Sequence, residues 1–355
     1  MINYKISLCT VCMNRTMHLK KTLLQNIMDN REYPQVEFVL LDYGSRDDLY
    51  PWARKELSSF INDGKLVYWR TTAPRHFHMS HSKNMVFRLA TGDILCNIDA
   101  DNFTGAGFAA YVNEMFNREP GIFLSPVGIG PGKKWWDVQG RICLRREDFL
   151  QFRGYDEKVL EYGYEDQDLK HRMITGGRRK MLIKPEPFLH AICHDDDIRI
   201  ADGLAARKTK DMFIACADKA SEIIYLQENN IAERFYVRKD LLRQQVSNED
   251  CMPKYLYNGK YEMADNEIRL FRKNGEAWMQ LYICPDGQLQ SSDNRRFHRI
   301  EAGPLRENLL LQRAIYLGRK IFDLNKKSIH PVNPEGFGRG EVSKNFSEDI
   351  ILTDC

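Results

Sequence analysis

The chain has 355 residues, 43% hydrophobic and 28% charged, which suits an ordinary soluble globular protein and excludes wholesale disorder. Fifty-two Lys and Arg against 49 Asp and Glu leave a net charge of +3, so no whole-chain basic field favours nucleic acid. No apolar run reaches the roughly 18 residues of a membrane span, and the N-terminus lacks the apolar stretch of a signal peptide. The nine cysteines are scattered, and Cys9, Cys96 and Cys143 lie inside apolar runs, as expected for reduced, buried thiols in a cytoplasmic chain.

In chain order, Ile6 to Val11 reads as a strand. Leu19, Leu23, Leu24, Ile27 and Met28 then recur at helical spacing, with Thr16 as the expected N-cap. Val36 to Leu41 and Leu66 to Trp69 are further apolar runs, the first ending in Asp42-Tyr43-Gly44-Ser45. A helix from Ser82 to Ala90 follows, then a strand from Asp93 to Ile98 that ends in Asp99-Ala100-Asp101. This rhythm predicts an α/β domain over residues 1–215, with a mostly parallel sheet covered by helices on both faces. Ligands on such sheets bind beyond the carboxyl ends of the strands, where Asp42, Asp99 and Asp101 all fall. Residues 216–355 form a smaller α+β region. After about residue 205 the character changes: Ala205 to Gln245 is charged and helical in pattern, 255–300 reads as short strands, Leu305 to Phe322 as an amphipathic helix, and the Gly336-Gly338-Gly340 tail as loop. That last helix either packs on its own domain or meets a membrane surface or a partner copy.

Three clusters carry chemistry. Asp99 and Asp101 at i, i+2 after a strand are hard oxygen ligands of the kind Mg²⁺ or Mn²⁺ prefers, although a solvated Asp turn has the same spelling. Glu165 and Asp166 precede a helix carrying Leu169 and Met173. Acids there favour the helix N-terminus, and one aimed into a cleft can also take a proton from a hydroxyl. Tyr155, Tyr162 and Tyr164 can stack on a sugar ring, as can the Trp135-Trp136 pair unless it is core. His190 and His194 can complete a metal shell beside carboxylates. The Cys9-Thr10-Val11-Cys12 spacing has no partner C-x-x-C and fits two buried thiols. His76-Phe77-His78 leads to Lys83-Asn84 at an expected helix start that suits phosphate.

Taken as an ordered set, these residues resemble the family 2 glycosyltransferases, and more narrowly their bacterial chondroitin-polymerase and galactosyltransferase-like branch. The matches are Thr10, Asn14 and Arg15; Asp42, Ser45 and Asp47; Lys83-Asn84; Asp99 and Asp101; Gly154 to Glu157; Tyr164 to Arg172; and His194. They span residues 4–200. The resemblance implies a GT-A fold, a nucleotide-sugar donor (commonly a UDP-sugar), a saccharide or glycoconjugate acceptor, and a Mn²⁺ or Mg²⁺ ion held by Asp99, Asp101 and His194. It implies inversion with Asp166 as base and Glu165 beside it. Donor contacts would come from Thr10, Asn14, Arg15, Asp42, Ser45, Lys83, Asn84, Asp99 and Asp101, and acceptor contacts from Trp135, Trp136, Tyr155 and Tyr164. It further implies surface polysaccharide synthesis in the cytoplasm, at or near the inner face of the membrane. Tyr162 stands where the family often has Trp, and Asn102-Phe103 follows the D-A-D turn, which leaves the metal shell dependent on His194. A nucleotidyltransferase would need a glycine-rich loop, and Thr10 to Met17 has no glycine. A non-catalytic carbohydrate-binding protein would not need the acids, and a glycoside hydrolase would need two carboxylates flanking the bond.

Overall fold

The computed structural model describes residues 2–126, 138–194, 196–238, 254–272 and 274–352. It divides into two units, residues 1–194 with 321–355, and residues 195–320. The division differs from a single cut at residue 215: the chain leaves the first unit at His194 and comes back to it from Ile321.

The first unit opens with β1 (Ile6–Cys12), whose run of apolar residues is buried on both faces. There follow α1 (Thr16–Asp29), β2 (Val36–Tyr43), α2 (Leu49–Glu56), α3 (Ser58–Asn62), β3 (Leu66–Thr71), α4 (Met79–Leu89) and β4 (Ile94–Asn97). Next come β5 (Asn102–Phe103), α5 (Phe108–Arg118), β6 (Ile122–Pro126), β7 (Cys143–Arg145), α6 (Arg146–Gln151), α7 (Glu165–Thr175), β8 (Arg179–Ile183) and β9 (His190–Ala191). The strands β3, β2, β1 and β4 pair in parallel, and β7 joins β4 antiparallel. β1 lies between β2 and β4, so the strand order reverses there and a crevice opens beyond their carboxyl ends. This is the expected α/β architecture. One core layer gathers Leu19, Leu23 and Ile27 of α1 with Leu8, Leu40 and Cys96. The other gathers Met85, Val86 and Phe87 of α4 with Cys9, Leu41, Leu95 and Leu144. Cys9, Cys12, Cys96 and Cys143 are free and buried.

The second unit begins with α8 (Asp196–Ile200) and α9 (Leu204–Lys208). It then builds β10 (Thr209–Ala215), β11 (Ala220–Gln227), β12 (Ile231–Arg238), β13 (Lys254–Ala264), β14 (Glu267–Phe271), β15 (Ala277–Ile283), β16 (Leu289–Ser291) and β17 (Arg296–Arg299). These strands close into an antiparallel barrel. Phe213, Ile224, Leu226, Tyr261, Leu270, Leu281 and Phe297 fill it, as barrels of this size are filled by side chains. The helical expectation for 205–245 is therefore corrected. Its apolar residues serve strands, because Ile223-Ile224-Tyr225-Leu226 is a β-branched and aromatic run with both faces covered. Leu241 and Leu242 lie outside the described residues.

The helix expected near 305–322 is present as α10 (Gly303–Asn325). Its Leu309, Leu310 and Leu311 are buried, while Ile315, Leu317, Ile321 and Phe322 are half-buried. Arg313 on it makes a two-pronged pair with the buried Glu233, at 2.6 and 2.7 Å. The tail is not all loop: β18 (Glu341–Lys344) adds to β3 and β19 (Ile350–Leu352) adds to β18. Among the described residues, no helix is long and apolar enough to cross a membrane.

Candidate active site

The loops after β1, β2 and β4 meet at the crevice. Asn14 has a left-handed backbone (φ 54°), and its Oδ1 accepts from Arg46 N at 2.7 Å while its own N–H donates to Ser45 Oγ at 3.2 Å. Asp47 accepts from Thr16 N at 3.0 Å, so the first turn of α1 is capped from the next loop and Thr16 is not its own cap. Thr10 is buried within β1 opposite Leu40, and Arg15 is half-buried at the start of α1.

Asp42 is enclosed. Its Oδ1 accepts from Ser45 N at 2.9 Å, its Oδ2 accepts from Tyr68 Oη at 2.8 Å, and Arg70 Nε lies 3.4 Å away. Burial pushes its carboxyl up despite these partners. The expected donor contact is corrected: with no exposed surface, Asp42 orders its own loop.

The D-A-D turn lies between β4 and β5. Asp99 Oδ1 accepts from Asn97 Nδ2 at 2.9 Å, and burial first and Asp101 next raise its carboxyl while Lys83 opposes them. Pairing of β5 with β9 sets Phe103 opposite His190, and Ile192 N donates to Asp101 O at 2.8 Å. This brings His194 Nε2 to 2.7 Å from Asp101 Oδ2. His190, on β9 itself, is exposed. Of the expected triad, Asp101 and His194 thus touch directly. Among the described residues, no group of three His, Cys, Asp or Glu has the arrangement to hold a metal ion. Asp99 Oδ1 is engaged by Asn97.

Glu165 and Asp166 open α7, as expected. Tyr164 before them has φ 71° and Gly163 has φ 100°, so the chain reaches the helix through two left-handed residues. Lys83 Nζ lies 2.9 Å from Glu165 Oε1 and 3.0 Å from Asp166 Oδ1, with all three side chains largely buried. Burial pushes Asp166 up to about 7, with Lys83 opposing and Glu165 reinforcing. Burial works on Glu165 too, yet Lys83 wins there and holds it below its usual range. Lys83 itself stays charged, because the two acids outweigh the burial that disfavours its ammonium. Two expectations are corrected here. The helix starts at Met79 and not at Ser82, which puts Lys83 in its second turn, and Lys83 holds two acids where a phosphate was expected.

Asn84 is fully buried and bolts the G-Y-D-E loop in place. Its Nδ2 donates to Tyr155 O and Glu157 Oε1, both at 2.9 Å, and its Oδ1 accepts from Tyr155 N at 2.8 Å. Gly154 (φ +61°) is required there, since a Cβ would stand 2.3 Å from Asn84 Oδ1. Asn84 is therefore a structural bolt and not a donor contact. Tyr155 is likewise corrected as an acceptor platform: its ring is core, 5.2 Å from Lys83 Nζ. Tyr164 is half-buried, with its ring 5.7 Å from that of Phe322. Trp135 and Trp136 lie outside the described residues.

Three functional neighbours were not read from the sequence. A Cβ on Gly140 would sit 2.7 Å from Asp99 Oδ2 and 3.4 Å from Asp166 Oδ2, so the two carboxylates approach across this residue. Lys170 is buried and donates to Gln139 O at 3.0 Å. Its place four residues after Asp166, on one helix face, was the available signal. Arg141 is wholly buried. It donates to Phe103 O at 2.9 Å, to Asn102 Oδ1 at 3.2 Å and to Phe188 O, and burial lowers it to about 10. The site thus holds paired acids, Lys83 bound between Glu165 and Asp166, and an imidazole on Asp101. It can abstract a proton.

Residues 7–183 match the family model described as Glycosyl transferase family 2. No curated protein matches the chain. Among solved structures, the mannosyltransferase PcManGT of Pyrobaculum calidifontis, in complex with GDP-Man and Mn²⁺, is 21% identical, over 57% of this chain and 62% of that one, with a TM-score of 0.45. TarS 1–349 of S. aureus, in complex with UDP, is 12% identical over 55% and 62%, with a TM-score of 0.44. The catalytic domain of Drosophila beta1,4-galactosyltransferase 7, in complex with xylobiose, is 14% identical over 56% and 74%, with a TM-score of 0.39. The chain thus spans under two thirds of the length of the first two.

Proposed function

We propose that this chain, whose residues 7–183 match the Glycosyl transferase family 2 model, moves a sugar from a nucleotide-sugar donor, a UDP-sugar, to a hydroxyl of a saccharide or glycoconjugate acceptor, with inversion. The observation that carries the reading is Asp166: a buried carboxylate at the start of α7, tuned to about 7 and braced by Lys83. A base poised near neutral pH is what proton removal from a sugar hydroxyl requires. The acceptor oxygen attacks the anomeric carbon, the bond to the nucleotide diphosphate breaks on the opposite face, and the hydroxyl proton passes to Asp166. Glu165 stays ionised beside it and keeps Lys83 charged.

Asp101 and His194, an oxygen and a nitrogen donor side by side, are the residues that would hold a Mn²⁺ or Mg²⁺ ion. Such an ion supplies neutralisation of the departing diphosphate. Synthesis of a surface polysaccharide in the cytoplasm is the setting this reading implies.

A panel of nucleotide sugars, each with and without Mn²⁺, tests it by melting-temperature shift and nucleotide release. The reading requires one donor to stabilise the protein and to release its nucleotide faster with acceptor saccharide present. Cleavage of a saccharide with no nucleotide involved, or stabilisation by no donor at all, would refute it.

A further inference from the structure

Helix α1 carries two stripes. Leu19, Leu23 and Ile27 enter the core, as an amphipathic helix requires. Beside them His18, Thr22, Asn26 and Asn30 recur every fourth residue, and all four are buried although polar. Burial of polar groups is unfavourable unless each finds a partner. Here the partners belong to one segment, the chain that leaves β4 through the D-A-D turn.

The contacts run in order along that segment. Thr22 Oγ1 donates to Ala100 O at 2.6 Å. Asn26 Nδ2 donates to Asn102 O at 2.9 Å, and Asn26 Oδ1 accepts from Thr104 N at 2.8 Å. Asn30 Nδ2 donates to Thr104 Oγ1 at 2.9 Å, and its Oδ1 accepts from Ala109 N at 2.8 Å. At the head of the stripe the His18 ring stands 5.7 Å from the His194 ring, whose Nε2 meets Asp101. His18 Nδ1 is buried without a partner, and the ring packs against that of His194.

We propose that Thr22 and Asn26, with His18 packed on His194, are positioning residues for donor binding: they set the place of the D-A-D turn, and nucleotide affinity depends on them although they do not touch the nucleotide. The inference rests on the reading of Asp101 and His194 as the metal–diphosphate end of the donor site. Within residues 100–104 only Asn102 and Phe103 are in a strand, β5, which pairs with β9 and not with the main sheet. The helix supplies the hydrogen bonds that a neighbouring strand would otherwise provide.

The test uses the full chain, UDP and Mn²⁺. Thr22→Val removes the hydroxyl and keeps the shape, and Thr22→Ser restores it; Thr22→Ala replaces the valine variant if the added methyl prevents folding. Thr22→Val should weaken Mn²⁺-dependent UDP binding in calorimetry by about ten-fold, the usual scale of one buried hydrogen bond. Amide hydrogen exchange should quicken at residues 100–104 and stay unchanged in the rest of α1 and in β1, and Thr22→Ser should recover both. Unchanged UDP affinity overturns the proposal, whether or not exchange quickens. If the wild-type protein binds neither UDP nor GDP with Mn²⁺, the donor reading itself fails. Exchange then decides the positioning half alone: quickening at 100–104 supports it and none overturns it.

Discussion

Lys83 Nζ and Asp166 Oδ1 lie 3.0 Å apart inside the protein, and this contact sets the protonation behaviour of the proposed base. Burial alone would drive Asp166 higher than the value of about 7 at which it rests, and Lys83 pulls it back. Glu165 shares the same ammonium and is held below its usual range, so one acid stays ionised while the other is poised to exchange a proton.

Asp166→Asn keeps the shape and removes the base. Turnover should fall by about 10²–10⁴-fold, the usual worth of such proton transfer, with donor affinity unchanged. Transfer kinetics beside UDP calorimetry check this, and near-normal turnover would exclude the assignment.

The base acts only when deprotonated, so activity should fall as pH drops through about 7. Lys83→Met removes the charge that opposes protonation. The acid limb of the pH–rate profile should then move to higher pH. Two buried acids left without their cation should also cost about 3–5 kcal/mol of stability, read by denaturant unfolding.

Gly140→Ala puts a methyl group where Asp99 Oδ2 and Asp166 Oδ2 approach, at 2.7 and 3.4 Å. One of the carboxylates must shift by several tenths of an ångström. We expect a loss of about 10²-fold in turnover with a modest change in melting temperature, because small misplacement near the chemistry is expensive.

His78 predicts a second pH effect. Its Nδ1 accepts from His81 N at 3.2 Å and its Nε2 faces Glu157 O at 3.2 Å, an arrangement that fits the neutral ring. Burial lowers it to about 4. Between its ordinary value near 6.5 and about 4, the unfolded chain takes up a proton that the folded chain refuses, so stability falls as pH falls across that window. His78→Asn retains a capping acceptor and removes the titration. Its melting temperature should fall less steeply than that of the wild type between pH 6.5 and 4; parallel curves would exclude His78 as the source.

The strand ends were legible in the sequence, because buried parallel strands are continuous apolar runs and polar residues mark where they stop. Asp99 and Asp101 were found this way, and Glu165 and Asp166 as acids at the start of a helix. The roles of Lys83, Asn84, Asp42 and Tyr155 were not legible, since a residue at a cleft and one just behind it share the same spelling. The later barrel strands, within 255–300, were legible as strands, but the first three were missed because charged residues between their apolar pairs imitate a helical period. The polar stripe of α1 was visible as His18, Thr22, Asn26 and Asn30, but nothing in one sequence says that their partners lie beyond β4.

The return of the chain from Ile321 also governs the order in which the protein can assemble. Asn325 Nδ2 donates to Asp156 Oδ2 and Asp168 Oδ1, both at 2.8 Å, and Asn333 donates to Tyr155 O at 2.7 Å. During synthesis the loop ahead of the proposed base therefore lacks these partners until residues 325–333 have left the ribosome. A nascent chain arrested after the barrel would carry every residue of the proposed chemistry and still await the clasp that holds them in place.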